Sequence, residues 1–236
     1  MVTNNISVSK NIIKGKNCYI ISNGSGGPAI LWGFYPHRGD ADSEIEHMVQ
    51  CLKDDGINEE YTIIAYQVDD WNCEFSPWPA DIGNEQMTFA GGGKDTLAWI
   101  EQFAIPYVHS NWGDVKIFTM GYSLAGLFAL WCLYESDVFG GGICCSGSLW
   151  FPGWDEYVKI KSLKTDNLII YLSLGGKEAK TDNEIMATVA ERFKEQERIL
   201  KRDSRVNKVY LEWNSGGHFA DAAKRMVKGI KWILNS

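Results

Sequence analysis

The chain has 236 residues, of which 45% are hydrophobic and 13% aromatic, so it can bury a large core as a single domain over residues 1–236. It has no apolar stretch of about twenty residues, which argues against a membrane span, and its net charge of −7 argues against binding to nucleic acid. Residues 1–5 do not resemble the start of a secretory signal, so a cytoplasmic protein is expected. Six cysteines form neither a CxxC pair nor a zinc-binding pattern, and no metal or redox role is expected.

Strand-like and helix-like segments alternate along the chain, a pattern typical of an α/β protein with a mostly parallel sheet and helices on both faces. Strands are predicted at 17–22, 29–35, 61–68, 115–120, 140–145, 168–174 and 209–213. Helices are predicted after the potential caps Ser43, Asp95 and Ser123, and along 185–200 and 219–233. The long loop at 69–93 is expected to be functional, because loops of that length are uncommon in compact domains.

The segment from Gly121 to Ala125 lies where a predicted strand meets a predicted helix, with Ser123 at its centre. An α/β-hydrolase presents its nucleophilic serine at such a strand-to-helix corner. The corner is so tight that the residues two before and two after the serine must be small, which Gly121 and Ala125 satisfy. The alternative is that Ser123 is an ordinary helix N-cap. The strand and helix around it favour the nucleophile.

A serine nucleophile needs a base within hydrogen-bonding distance, and the chain has four histidines: His37, His47, His109 and His218. His47 fits the exposed face of a helix, and His109 fits a helix end, where the dipole favours a cationic imidazole. His218 follows the last predicted strand through a flexible loop, at the sheet edge where the serine is expected. Chain order in this fold also places the histidine last, so we predict that His218 is the base.

A carboxylate is expected to orient the histidine, and in chain order it falls between the serine and the histidine. Glu178 lies just past the tip of the strand at 168–174, and Asp182 follows four residues later. Either could instead be a solvated carboxylate before a helix, with Asp182 as the cap. We select Glu178 and keep Asp182 as one alternative; a serine–histidine pair without a strong third member is another.

Two N–H groups should bind the oxyanion that forms when a carbonyl is attacked. One is expected from Leu124, directly after the nucleophile, and the other from the turn after the strand at 29–35. Pro36 has no N–H, so the second donor is Phe34 or Tyr35, and we select Tyr35.

Six aromatic residues fall in predicted loops at the strand ends and could form the walls of a substrate pocket. They are Trp71, Phe75, Trp78, Trp150, Phe151 and Trp154. Packing of the long loop would explain most of them equally well. Trp71, Trp78 and Trp150 are the substrate-binding candidates.

Taken together, these motifs resemble the serine esterases of the esterase D and enterochelin-esterase-like branch of the α/β-hydrolases. The matching stretches are 70–72, 76–79, 89–93, 121–126, 148–152, 174–178 and 216–219. Members of this branch hydrolyse varied esters, including siderophore lactones, feruloyl esters and S-formylglutathione, and some relatives transfer acyl groups. The chain departs from the usual pattern in having a glutamate as its acid and an unusual oxyanion turn.

The resemblance implies a serine carboxylic-ester hydrolase that works through an acyl-enzyme on a small-molecule ester and needs no cofactor or metal. Ser123, His218 and Glu178 would form its catalytic triad. An acyltransferase with the same acyl-enzyme is one alternative, and a hydrolase-fold binding protein without catalysis is another.

Overall fold

A central sheet of eight strands organises the part of the chain that the structure, a computed structural model, describes: residues 5–36, 39–83 and 88–236. The strands in chain order are β1 (Ser7–Ile13), β2 (Lys16–Ser22), β3 (Ala29–Phe34), β4 (Thr62–Gln67), β5 (Pro79–Ala80), β6 (Phe89–Ala90), β7 (Ile117–Tyr122), β8 (Gly141–Cys145), β9 (Leu168–Gly175) and β10 (Val206–Asn214). The sheet has the spatial order β1-β2-β4-β3-β7-β8-β9-β10, and β5 and β6 form a separate hairpin. Strands β1 and β2 pair antiparallel, as do β2 and β4, whereas all other pairs in the sheet are parallel.

Helices cover both faces of this sheet. They are α1 (Ala41–Asp55), α2 (Trp71–Glu74), α3 (Gly93–Trp99), α4 (Ile105–Trp112), α5 (Leu124–Glu135), α6 (Trp154–Ile160), α7 (Glu184–Ala187), α8 (Val189–Arg202) and α9 (Ala222–Leu234), with a π-helical stretch at Ile100–Ala104 between α3 and α4. The apolar residues of α1 and α9 pack in one cluster, and those of α3, α5 and α8 pack in another. The inner strands β3, β7, β8 and β9 are almost continuously apolar because both of their faces are covered.

Four predicted details of these elements differ in the structure. Helix α1 begins at Ala41 with Asp40 as its cap rather than Ser43, because the Asp40 carboxylate accepts a hydrogen bond from the Ser43 N–H. Helix α3 begins at Gly93, so Asp95 lies inside its first turn. Phe219 lies in the loop before α9 rather than in the helix.

Strand β1 is the fourth difference, since no strand was predicted there. Its residues are exposed except for Ile13, so it has no apolar face that a sequence pattern could reveal. It pairs with β2 through a tight turn in which both Lys14 (φ 44°) and Gly15 (φ 86°) have positive φ, as hairpin turns require.

The loop predicted at 69–93 contains the short helix α2 and the β5–β6 hairpin, although residues 84–87 lie outside the described part. No helix in the described ranges is both long enough and apolar enough to cross a bilayer.

The strand order reverses between β3 and β7, which are direct neighbours in the sheet. From β3 the chain moves outward to β4, and from β7 it moves the opposite way to β8, β9 and β10. In open parallel sheets a crevice forms at such a reversal, beyond the carboxyl ends of the strands, and ligands bind there. The fold therefore predicts a ligand site among the residues that follow β3 and β7.

Candidate active site

Ser123 occupies the corner between β7 and α5, where its backbone has φ 57° and ψ −124°. A side chain at Gly121 would place its Cβ 2.1 Å from the Ala125 carbonyl oxygen, so only glycine fits there. The Ser123 N–H donates to the Cys145 carbonyl at 3.0 Å. Although Ser123 is the N-cap residue of α5, its side chain makes no capping hydrogen bond. The hydroxyl is therefore free to face the crevice.

The side chains of Ser123, His218 and Glu178 form one hydrogen-bonded chain. His218 Nε2 lies 3.0 Å from Ser123 Oγ, and His218 Nδ1 lies 2.8 Å from Glu178 Oε2. They follow β7, β10 and β9, so the parallel strands deliver all three to the same sheet edge. A carboxylate on Nδ1 leaves Nε2 as an acceptor, the tautomer that could take a proton from the serine.

Glu178 is deeply buried, with a side chain only 3% exposed. Its Oε1 accepts from the Gly175 N–H and the Ser146 hydroxyl, each at 2.7 Å, and from Arg225 at 2.9 Å. Burial by itself would raise the pKa of Glu178, but the hydrogen bonds from His218, Ser146 and Gly175 outweigh burial and lower the pKa. The acid is consequently ionised at neutral pH.

Asp182, the alternative acid, is exposed and lies beyond the segment that reaches His218. The cap of the following helix, α7, is Asn183, whose side chain accepts from the Ile185 and Met186 N–H groups. The structure thus brings Glu178, and not Asp182, to the histidine.

The backbone of His218 is held as well as its ring. The Tyr122 hydroxyl donates a short hydrogen bond to the His218 carbonyl oxygen, and the two rings lie 5.5 Å apart. Burial raises the pKa of Tyr122 to about 12, so this hydroxyl keeps its proton at neutral pH. The residue before the serine therefore helps to position the histidine.

The other histidines lie elsewhere. His109 Nδ1 is 3.0 Å from the Gly113 carbonyl oxygen at the end of α4, and His47 is exposed on α1 at the rim of the groove described below. His37 lies outside the described residues.

The two predicted oxyanion donors follow β3 and β7, the two strands between which the strand order reverses. Leu124 is the first residue of α5, where a backbone N–H has no partner within the helix. Tyr35 follows the last residue of β3 and lines the same groove as Ser123. Their roles in binding an oxyanion stay predictions.

An open groove of about 1860 Å³ lies above Ser123 and His218. Of the predicted substrate-binding aromatics, Trp71 and Trp150 line it, whereas Trp78 does not. The Trp78 indole instead donates to the Pro152 carbonyl at 2.8 Å and packs against Phe151 and neighbouring rings. Contrary to the prediction, Trp78 therefore does not line this groove, and its ring packs against Phe151, Trp154 and Tyr157.

Two residues near the site were missed by the sequence analysis. Phe219 is 90% exposed, lines the groove and contacts the His218 ring edge-on at a centroid distance of 5.1 Å. Arg225 is 2% exposed and bonds to Glu178. A detectable pattern existed for Arg225, because it interrupts the apolar stripe of α9 that includes Met226 and Gly229.

No group of three or more histidine, cysteine, aspartate or glutamate side chains is arranged to hold a metal ion within the described ranges. The side chains that meet at the site supply a hydroxyl, an imidazole and an ionised carboxylate.

The strand order, the Ser123 corner and the reversal at β3 and β7 define the α/β-hydrolase fold, as predicted. The structure is similar to the siderophore hydrolase EstA from Aspergillus nidulans, with a TM-score of 0.72 and 15% identity over 98% of this chain and 95% of that one. It is also similar to an IroE-like serine hydrolase from Shewanella oneidensis, with a TM-score of 0.77 and 14% identity over 97% of this chain and 80% of that one. At these identities the likeness establishes the fold.

In sequence, the chain is 24% identical over 183 residues to the uncharacterized protein YbbA of Bacillus subtilis, covering 74% of this chain and 73% of YbbA. No family model matches the sequence.

Proposed function

We propose that the chain is a serine esterase that hydrolyses a small-molecule carboxylic ester through an acyl-enzyme. The observation that carries this proposal is the hydrogen-bonded chain from Ser123 Oγ to His218 Nε2 (3.0 Å) and from His218 Nδ1 to Glu178 Oε2 (2.8 Å). These distances fall within the range that proton transfer requires. The hydrolase names of the structural neighbours agree with it.

In the first half of the reaction, Ser123 Oγ bonds to the ester carbon while its proton passes to His218 Nε2. Glu178 holds the imidazole in the required tautomer and stabilises its cation. The N–H groups of Leu124 and Tyr35 bind the oxyanion. His218 then gives its proton to the departing alkoxide, which leaves Ser123 acylated.

In the second half, a water molecule loses a proton to His218 and attacks the acyl carbon. Collapse of the intermediate releases the carboxylic acid, and His218 returns the proton to Ser123. An acyltransferase would use an alcohol or amine in place of this water, so product analysis with added alcohols separates the two activities.

The substrate is an organic ester that fits the open groove of about 1860 Å³, whose walls include aromatic side chains. Trp71 and Trp150 would contact its acyl or alcohol part. A siderophore ester is one such molecule, suggested by the name of the Aspergillus nidulans neighbour.

The test replaces Ser123 by alanine and measures hydrolysis of p-nitrophenyl acetate. We expect kcat to fall by at least about a thousandfold, since a triad serine supplies the attacking atom. Tm should change little, because the lost hydroxyl makes no capping bond.

Ser110→Ala, on the exposed side of α4, is the control and should keep full activity. A fluorophosphonate probe should label the wild type and fail to label Ser123→Ala. Undiminished turnover by Ser123→Ala would exclude the proposed nucleophile, and a wild type that neither turns over nor reacts with the probe would favour a binding protein.

A further inference from the structure

A buried arginine lies directly behind the proposed triad. Arg225 is in the first turn of α9, its side chain is 2% exposed, and it is not part of the groove wall. A buried guanidinium is strongly unfavourable unless it is fully paired, so its partners indicate what its burial achieves.

Arg225 donates to five acceptors, and each of them lies at or just after the carboxyl end of one of the strands β7, β8, β9 and β10. The two hydrogens of Nη1 are shared among Glu178 Oε1 (2.9 Å), Ser146 Oγ (2.9 Å) and Tyr122 OH (3.1 Å), and Nη2 donates to the carbonyl oxygens of Ser215 and Gly217 (3.0 Å each). The guanidinium thus connects the ends of β7, β8, β9 and β10 at a single point. A planar fork of donors is suited to such convergent bonding, and a lysine could not reproduce it.

These bonds hold the loop that carries His218. Arg225 donates to the carbonyl oxygen of Gly217, the residue before the histidine. It also donates to the Tyr122 hydroxyl, which in turn donates to the carbonyl oxygen of His218. The loop is otherwise rich in glycine, with Gly216 at φ 86°, and needs such support to hold one conformation.

The same guanidinium holds the acid. It binds the oxygen of Glu178 that does not contact the histidine, both directly and through the Ser146 hydroxyl. Gly175 leaves room for this arrangement, because a Cβ there would lie 2.8 Å from Glu178 Oε1 and 2.9 Å from Arg225 Nη2.

We propose that Arg225 is a positioning residue that sets the distance and orientation between Glu178 and His218 and places a fixed positive charge beside this pair. The proposal rests on the proposed esterase function. The charge of Arg225 lies 2.9 Å from Glu178 Oε1, the carboxylate oxygen that does not contact the histidine. Arg225 does not touch the substrate and acts through the two residues it holds.

The charge argument predicts a direction. Without the guanidinium, the site loses a positive charge 2.9 Å from Glu178 Oε1, so we expect the acid limb of the kcat/KM profile to lie at a higher pH. Among the described residues, Tyr122 lies against the His218 ring, and the charged or titratable side chains of the groove besides Glu178 are Tyr35, Asp40, Glu44, His47, Asp69, Asp70, Lys177, Lys180 and Asp221. The substitution leaves all of them in place.

The experiment compares Arg225→Gln, which removes the charge, with Arg225→Lys, which keeps it but lacks the fork. For Arg225→Gln we expect kcat for p-nitrophenyl acetate to fall about a hundredfold with little change in KM, as expected when reacting groups are misplaced by about 1 Å. The acid limb of its kcat/KM profile should move up by about 1 pH unit. For Arg225→Lys we expect a loss of kcat with the acid limb near its wild-type position.

Lys224→Gln is the matched control, because it removes one positive charge from the adjacent, exposed position of the same helix. It should leave kcat and the pH profile unchanged. An Arg225→Gln enzyme with kcat within about threefold of the wild type, or with reduced kcat and an unmoved acid limb, would overturn the proposal.

The NMR resonance of the proton between His218 Nδ1 and Glu178 Oε2 tests the positioning without any substrate. Its chemical shift should change in Arg225→Gln and stay in place in Lys224→Gln, even if no ester is turned over. Failure of the esterase proposal would therefore appear as an inactive wild type, and failure of this inference as an unchanged resonance. If Arg225→Gln does not fold, Arg225→Lys remains decisive, because wild-type kcat in that variant would contradict the need for the fork.

Discussion

Ser123 carries a backbone conformation, φ 57° and ψ −124°, that a residue with a side chain adopts only at a cost of about 1–3 kcal/mol. Three backbone hydrogen bonds oppose that cost. Its N–H donates to Cys145, and its carbonyl oxygen accepts from Leu127 and Ser148. The strained conformation directs the hydroxyl away from the helix and toward His218, so the geometry useful for nucleophilic attack is built in before any substrate arrives.

The carboxylate that serves the histidine can be identified by paired substitutions. Glu178→Gln should reduce kcat at least about a hundredfold, because an amide at this position no longer stabilises the imidazolium or selects its tautomer. Asp182→Asn should stay within about twofold of the wild type, as is usual for an exposed residue outside the site. Steady-state hydrolysis of p-nitrophenyl acetate measures both variants, and a larger loss in Asp182→Asn than in Glu178→Gln would contradict the assignment.

At the scale of the element, the strand–turn–helix of β7 and α5 depends on close backbone approach. Gly121 is buried in β7. Gly126 in α5 lies so close to β8 that a Cβ added there would be 3.0 Å from the Cys145 carbonyl oxygen. The helix that follows is buried from Leu124 to Tyr134. An error at the turn would therefore displace a whole core helix as well as the serine.

Gly121→Ala tests this dependence. The new Cβ would lie 2.1 Å from the Ala125 carbonyl oxygen, which is backbone and cannot rotate away. We expect the free energy of unfolding, measured by urea denaturation, to fall by about 3 kcal/mol or more, since overpacking a rigid site is this costly.

Gly140→Ala is the matched control for that substitution. Its Cβ would come no closer than 3.6 Å to another atom, the Lys116 side chain, so the change in stability should stay within about 1 kcal/mol. Equal stability losses in the two variants would show that the corner is not specially intolerant of a side chain.

At the scale of the whole molecule, the parallel sheet places four loops at one edge, and the site depends on all of them. Ser123, Ser146, Glu178 and His218 follow β7, β8, β9 and β10 respectively. No two of these residues are close in sequence. The site is therefore complete only in the folded sheet, and the buried charges at its edge connect the site to global stability.

That connection predicts a pH dependence. Because the pKa of Glu178 is lower in the folded chain than its ordinary value of 4.5, the unfolded chain binds more protons between the two values, and stability rises with pH there. The contribution is complete above 4.5 and is lost as the pH falls through the folded value.

Tm measured from about pH 5 to about pH 3 should consequently fall more steeply for the wild type than for Glu178→Gln. Asp182→Asn should keep the wild-type slope, because its carboxylate is exposed. Parallel curves for the wild type and Glu178→Gln would refute the lowered pKa.

The agreement between sequence and structure is best where local chemistry decides. The inner strands are almost continuously apolar and were predicted within a few residues, and the strand-to-helix corner at Ser123 was predicted as well. The roles of Ser123, Glu178 and His218 as nucleophile, acid and base stay predictions. The helix starts at Ala41 and Gly93 were displaced, because several polar residues compete to cap a helix and only the final backbone selects one. The exposed strand β1 carries no apolar face and left no pattern to read.

Side chains whose roles depend on distant neighbours were harder to predict. Trp78 and Trp150 were both predicted in loops at the strand ends, but only the packed loops show which indole lines the groove. Arg225 is over a hundred residues from Tyr122, and its contacts exist only once α9 closes onto the sheet.

What the sequence by itself determined is the α/β arrangement, the corner that exposes Ser123, and the set of candidate partners, because these follow from periodicity, small residues and chain order. What only the tertiary structure decided is which carboxylate reaches His218, which aromatics line the groove, and that a buried guanidinium supports the pair. The physical reason is that hydrogen bonds and burial at the sheet edge depend on distances of about 3 Å between segments far apart in the chain, and packing alone sets those distances.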